Sequence, residues 1–226
     1  MTKVMYEMIE SFMLEKMNDS AHDCQHVYRV LGLALEIAAN EIAAHEPRVN
    51  DAILITACLL HDIGREAQNQ DHSLDHALVG GQMAYEYLIS IGWSREYASH
   101  VRACIETHRY RKTSQPQSIE AKILFDADKL EVCGAIGIAR TFLYEGLHAE
   151  PMYVFDESGE ITLEGTGSFF QEFNYKLRKI YGGFYTKHAT EMAEQRRDIA
   201  IAVYDNLLAE VKSAHAAVQK IDDILV

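Results

Sequence analysis

The chain has 226 residues, 48% hydrophobic and 24% charged, enough apolar material for one sizeable core with small appendages. Its formal charge of −13 opposes a broad phosphate-neutralising surface and so argues against duplex nucleic acid as a partner. Any phosphorylated ligand must therefore meet cations concentrated locally.

Only three prolines, Pro47, Pro116 and Pro151, interrupt the chain, and the long intervals between them read as helix. Met5 to Met17 places Met5, Met8, Ile9, Phe12, Met13 and Lys16 at spacings of three and four. Cys24 to Ala43 repeats the pattern through Val27, Val30, Leu31, Ala34, Leu35, Ala38 and Ile42. Asn50 and Asp51 can cap an apolar helix from Ala52 to His61, with Gly64 as a place to turn. Ser73 to His76 lead into a helix over Ala77 to Ser90, stopped at Gly92, and Ser94 caps the next one to about His108. After a polar loop from Arg109 to Gln117, Ser118-Ile119-Glu120 opens a helix that carries Leu124, Ala127 and Leu130 towards Gly134. Another follows from Ala135 to about Glu145.

Met152 to Phe155 and Ile161 to Leu163 flank the turn-forming run Asp156 to Glu160, which predicts a small β-hairpin insert near residues 152–164. Beyond the joint at Gly165 to Gly167, helices are expected over Ser168 to Ile180 and Thr186 to Lys212, separated at Gly182-Gly183. The expected fold is all-α with that hairpin, a single domain over residues 1–226 with C-terminal helices, about 168–215, packed on the rest. Ile199, Ala202, Val203, Asn206, Leu207, Glu210 and Val211 form a stripe on the last helix. Intramolecular packing is its simplest use, and a homodimer seam the alternative.

The first seven residues, Met1 to Glu7, carry no apolar h-region, and the longest apolar run, Ala52 to Leu60 interrupted by Thr56, is too short to span a bilayer. Cys24, Cys58, Cys104 and Cys133 are scattered without C-x-x-C spacing and read as buried thiols. The expectation is a cytoplasmic protein with no membrane partner.

Chemistry concentrates in the histidines before Lys129. A His-Asp dipeptide alone is weak evidence, so context decides. His61-Asp62 ends a helix apolar on nearly every side, which puts a carboxylate at the floor of a core, where it needs a hydrogen-bonded partner or a cation. His26 follows His22 by four residues, so the two imidazoles share a face beside the apolar stripe; singly, one core and one surface histidine would explain them. Asp126 and Asp128 lie about 200° apart around a helix, so one of them reaches any given point, and their apolar flanks do not choose between them.

Together, His26, His61-Asp62 and Asp128 resemble the H…HD…D signature of the HD-domain metal-dependent phosphohydrolase superfamily. The likeness extends through His22-Asp23-Cys24-Gln25-His26-Val27-Tyr28-Arg29-Val30, Leu59-Leu60-His61-Asp62-Ile63-Gly64-Arg65, Phe125-Asp126-Ala127-Asp128-Lys129-Leu130-Glu131 and Gly134 to Arg140. It covers about residues 20–145 and is similar to the compact bacterial single-domain HD hydrolases. Glu131, where many relatives carry Asp, keeps the charge, and the GYP motif of the cyclic-di-nucleotide branch is absent.

The resemblance implies one divalent metal on His26, His61, Asp62 and Asp128, with Asp128 chosen over Asp126 because the family ligand stands immediately before the basic residue. A mixed N/O set suits Mn²⁺, Fe²⁺, Co²⁺, Ni²⁺ or Zn²⁺ better than Mg²⁺. His76 and His108 leave room for a second metal, although they, with His22, Asp23 and Asp126, fit better as groups that contact substrate or hold the ligands. Arg65, Lys129 and Arg140 can neutralise phosphate charge. Asp62 can orient a water, and Glu66, four residues on, can act as a general acid or base.

The implied activity is hydrolysis of a small phosphorylated molecule, a nucleotide first, with release of phosphate or pyrophosphate. Water attacks in line, and Arg65 and Lys129 meet the developing charge. Two other readings stand beside it: a di-iron oxygenase of the same fold, and a non-catalytic binding module stapled by its metal.

Overall fold

The periodic stretches fold as helices. The computed structural model describes residues 1–17, 24–41, 48–109, 114–221 and 225. Its helices are α1 (Lys3–Lys16), α2 (Cys24–Glu41), α3 (Asp51–Leu60), α4 (Arg65–Gln70), α5 (His76–Ser90), α6 (Arg95–Glu106), α7 (Ile119–Glu131), α8 (Gly134–Leu147), α9 (Phe169–Tyr175) and α10 (Lys187–Val218). Ile42, Ala43 and Pro47, residues 110–113 of the polar loop, and His22 and Asp23 lie outside the described residues. The caps act as their residue types dictate. Asn50 accepts from the N–H groups of Ala52 and Ile53, Asp75 from Ala77, and Ser94 from Tyr97. Among the described residues no helix is long and apolar enough to cross a membrane.

The chain divides into two compact units, Met1–Glu131 with Phe184–Ala189, and Val132–Gly183 with Thr190–Val226. Both fall inside what the sequence reading treats as one domain. In the first, α3 packs against α1, α2, α5, α6 and α7, and Ile53, Leu54, Ala57, Cys58, Leu59 and Leu60 are all buried. Each large side chain sealed this way contributes about 2 kcal/mol. That central helix must deliver its C-terminal residues, His61 and Asp62, into the core.

Gly64 follows, and a Cβ there would stand 2.2 Å from the His76 carbonyl oxygen and 2.7 Å from the Gly80 nitrogen. The glycine therefore lets the turn after α3 touch α5. The chain does more than turn at this point, because α4, not expected from the sequence, begins at Arg65.

The second unit has its own aromatic core of Phe169, Phe170, Phe173 and Tyr204, with Ile138, Ile161 and Leu177. Phe142 stacks on Phe169 at 4.2 Å and Phe173 on Tyr204 at 4.3 Å. Val203, Leu207 and Val211 of α10 pack partly buried against this cluster, which is the intramolecular use of the stripe. The helix expected to reach Ile180 ends at Tyr175, and a 3₁₀ turn at Leu177–Lys179 carries Leu177 into the same core.

The expected hairpin is corrected to a single antiparallel bridge between Phe155 and Ile161. Its turn is well made, with Asp156 accepting from the N–H groups of Ser158 and Glu160. Of the flanking residues only Ile161 is buried, and a ribbon with one buried side chain lacks the apolar face to extend as strands.

Candidate metal centre

Four histidines and two aspartates of the first unit converge. His26 lies on the first turn of α2, His61 caps the C-terminus of α3, and Asp62 follows it. His76 opens α5, His108 stands just past α6, and Asp128 rides the last turn of α7. The close packing of α2 with α7, and of α3 with both, brings the first set together. The Gly64 contact brings His76 to Asp62.

Each ring is oriented from behind. A helix leaves its last carbonyls without intrahelical partners, and two histidines use them: His61 Nδ1 donates to the Cys58 carbonyl at 2.8 Å, and His108 Nδ1 to the Ile105 carbonyl at 2.6 Å. His76 Nδ1 lies 2.6 Å from Gln68 Oε1, and the Gln68 amide is fixed because its NH₂ donates to the Leu74 carbonyl at 2.9 Å. Glu131 Oε2 stands 3.3 Å from His26 Nδ1, with Arg29 Nε bonded to its other oxygen. With Nδ1 engaged as a donor, a neutral ring presents its Nε2 lone pair inward.

His26 Nε2 is 3.3 Å from His61 Nε2, 3.3 Å from Asp128 Oδ1 and 3.7 Å from Asp62 Oδ2. The other Asp62 oxygen lies 3.4 Å from His76 Nε2, 3.7 Å from His108 Nε2 and 2.9 Å from Arg65 Nε, which donates to it. Two donor triads result, His26/His61/Asp62 and Asp62/His76/His108, each with its atoms within 4.8 Å of one another. An ion about 2.1 Å from each donor fits such spacings.

The electrostatics agree. Burial pushes His61 down to about 4 and His76 down to about 3, with Asp62 pulling both the other way. Burial would raise Asp62, but His61, Arg65, His108 and His26 outweigh it and hold the carboxyl well below its usual range. Asp128 is held low in the same way, against its burial, chiefly by His26. Asp62 Oδ2, His76 Nε2 and His108 Nε2 are buried and take no hydrogen bond from the protein. Orphans of this kind cost about 1–3 kcal/mol each, and a cation at either triad would satisfy them.

Lys129, Glu66 and Arg140 are not among the six converging residues. Lys129 Nζ sits 4.5 Å from the Phe184 ring centroid and 5.6 Å from that of Phe125. Glu66 is exposed on α4 and accepts from Gln70. Arg140 lies on α8, in the second unit.

Asp126 is not a surface group. It is fully buried and accepts from the N–H groups of Tyr185 and Thr186 and from the Thr186 hydroxyl, at 2.7–3.0 Å. It ties residues 185–186 to α7.

Sequence reasoning missed Gln68 and the Cys58 and Ile105 carbonyls; for the two carbonyls the available signal was a histidine three residues past a buried position at a helix end. It also missed Arg109, whose Nη1 is 3.3 Å from Asp75, the cap of the helix that His76 opens.

The HD domain family matches residues 24–133, the segment that holds all six converging residues. The uncharacterized protein YpgQ of Bacillus subtilis (strain 168) is 29% identical over 202 residues, 87% of this chain and 88% of its own. The crystal structure of YpgQ in complex with ADP superimposes with a TM-score of 0.69 at 26% identity, covering 91% of this chain and 97% of that one. A predicted HD superfamily hydrolase from an uncultured Thermotogales bacterium does so with a TM-score of 0.61 at 28% identity, covering 90% and 91%. With its paired triads, its all-helical fold and these likenesses, the chain carries an HD domain over residues 24–133 and is similar to the HD superfamily hydrolases.

Proposed function

We propose that the chain is a divalent-metal-dependent phosphohydrolase acting on a small phosphorylated molecule, a nucleotide, with release of phosphate or pyrophosphate. The observation that carries this reading is the convergence of His26, His61, Asp62 and Asp128 with their ring nitrogens oriented from behind. These four would hold the ion, which when bound supplies Lewis acidity to water and to a phosphoryl oxygen. Mn²⁺, Fe²⁺, Co²⁺, Ni²⁺ and Zn²⁺ suit the donors.

Asp128 is the most accessible of the four, its side chain 26% exposed, so substrate reaches the set from its side. Arg65 steadies Asp62 through Nε and extends its guanidinium as a phosphate clamp. Lys129, beside Asp128, adds positive charge against the leaving phosphate. Glu66 is the proton-transfer candidate on α4. The ADP complex of YpgQ supports a nucleoside phosphate as the ligand class. A cytoplasmic setting accords with cysteines that form no disulfide.

The test is a phosphate and pyrophosphate release screen over nucleoside mono-, di- and triphosphates. Metal-stripped protein is reloaded with Mn²⁺, Co²⁺, Ni²⁺, Fe²⁺ or Mg²⁺, and wild type is run beside Asp128→Ala. Metal-dependent release by wild type alone is expected. Release by metal-free protein, or equal release by Asp128→Ala, refutes the assignment.

The completeness of the Asp62/His76/His108 triad favours a second reading, a di-iron oxygenase. Two irons per chain with oxygen uptake and no phosphate release would establish that reading instead.

A further inference from the structure

The second unit has a cavity of about 450 Å³ of its own, with Arg140, Thr141, Glu145, Glu150, Glu172 and Lys176 in its walls. Glu145 is out of place there. It sits on the last turn of α8, 3% exposed, and neither carboxylate oxygen takes a hydrogen bond from the protein. A carboxylate at a helix C-terminus meets the negative end of the helix dipole. Burial, with Glu150 and Glu172 close by, pushes Glu145 up to about 7.

The backbone adds to the cost. Ala149 is the one described non-glycine residue with positive φ, 54°. There the chain reverses, so that the Glu150 N–H donates to the Glu145 carbonyl at 2.9 Å and a second acid returns to the wall. Strain and orphaned charge in one place mark positions where a ligand supplies the compensation.

The walls narrow the ligand. Glu172 is paired with Lys176 at 3.2 Å. Thr141 gives its hydroxyl proton to the Gly137 carbonyl at 2.9 Å, so it has only acceptor capacity left. What is missing is an N–H donor to either Glu145 oxygen. Among the described residues the only trios of donor atoms within 4.8 Å are the two at Asp62, so the acids here are too dispersed to share one metal ion. A cation that meets them must be extended, and the cavity has the volume of a small-molecule site.

We propose that this cavity binds a small organic cation with separated N–H donors, a linear di- or polyamine in class, anchored by Glu145. The site is independent of the metal cluster.

Isothermal titration of the full-length, metal-loaded protein with spermidine at constant ionic strength tests it, with Mg²⁺ and Na⁺ as controls. Saturable one-site binding is expected for wild type and for Asp128→Ala, weakened about tenfold or more in Glu145→Gln and measurably in Glu150→Gln, with circular dichroism unchanged. If Glu145→Gln does not fold, Glu150→Gln carries the comparison. Failure of wild type to bind, equal binding by both glutamate variants, loss of binding in Asp128→Ala, or the same Glu145-dependent response to Mg²⁺ alone would each overturn the proposal. Loss of release in the nucleotide screen would leave it standing, since none of His26, His61, Asp62 and Asp128 lines the cavity.

Discussion

Glu131 stands 3.3 Å from His26 Nδ1 while Arg29 holds its other oxygen, so one buried carboxylate fixes the ring of a candidate ligand and is itself fixed. Such outer partners raise the basicity of a metal-bound imidazole and lock its orientation. Glu131→Gln is expected to weaken metal binding about 10–100-fold with the helical content intact. Chelator competition with Mn²⁺ measures it, and unchanged affinity would remove Glu131 from the site.

Asp126 and Asp128 separate by experiment. Asp126→Ala leaves the Tyr185 and Thr186 N–H groups without their acceptor and should cost about 3 kcal/mol of stability while metal content holds. Asp128→Ala should do the reverse, lowering metal affinity by about tenfold or more with a smaller change in stability. Urea melts and elemental analysis of both variants decide. Loss of metal in Asp126→Ala with an intact fold would reverse the assignment.

In Gly64→Ala the new Cβ meets backbone atoms of His76 and Gly80, neither of which can swing aside. The φ of Gly64 is an ordinary −86°, so the effect is steric. The expected loss is about 3 kcal/mol, or roughly 10 °C in Tm for a chain of this length. A melt within about 2 °C of wild type would show that α5 does not approach the turn so closely.

The metal-free protein should lose stability as pH falls below about 6.5. His61 and His76 have folded pKa values of about 4 and about 3 against 6.5, so the unfolded chain takes up protons first and folding weakens from about 6.5 down to those values. Asp62, held below 3.8, acts in the same direction at lower pH: its stabilisation is present above that value and vanishes as it protonates. Urea midpoints at about pH 7.5 and about pH 5 measure this, and saturating Mn²⁺ should raise both midpoints while leaving the difference, since the folded rings carry no proton at either pH with or without the ion. Glu145, raised to about 7, acts the other way in this window, so an equal or higher midpoint at the lower pH in Glu145→Gln contradicts the burial of these rings.

Asn50 and Ser94 announced their helices because a cap is a local event, complete within three residues. The apolar run before His61 likewise announced a helix buried on all sides, since nothing else could hide Ile53 through Leu60. The same locality misled at residues 152–163, where alternation and a good turn promised strands but pairing needs a face to pack. It was silent on Asp126 against Asp128, which differ by two residues in a helix. The N–H groups of residues 185–186, sixty positions away, claim the first, while His26 meets the second.

The double role of Asp62 was also hidden. It depends on Gly64 meeting Gly80, and on Gln68 and two helix-end carbonyls turning three rings inward. Local propensity and hydrophobic period belong to a window of residues and can be read there. Which donor atoms meet is a property of long-range packing, and only the folded chain brings His26, His61, Asp62, His76, His108 and Asp128 to one place.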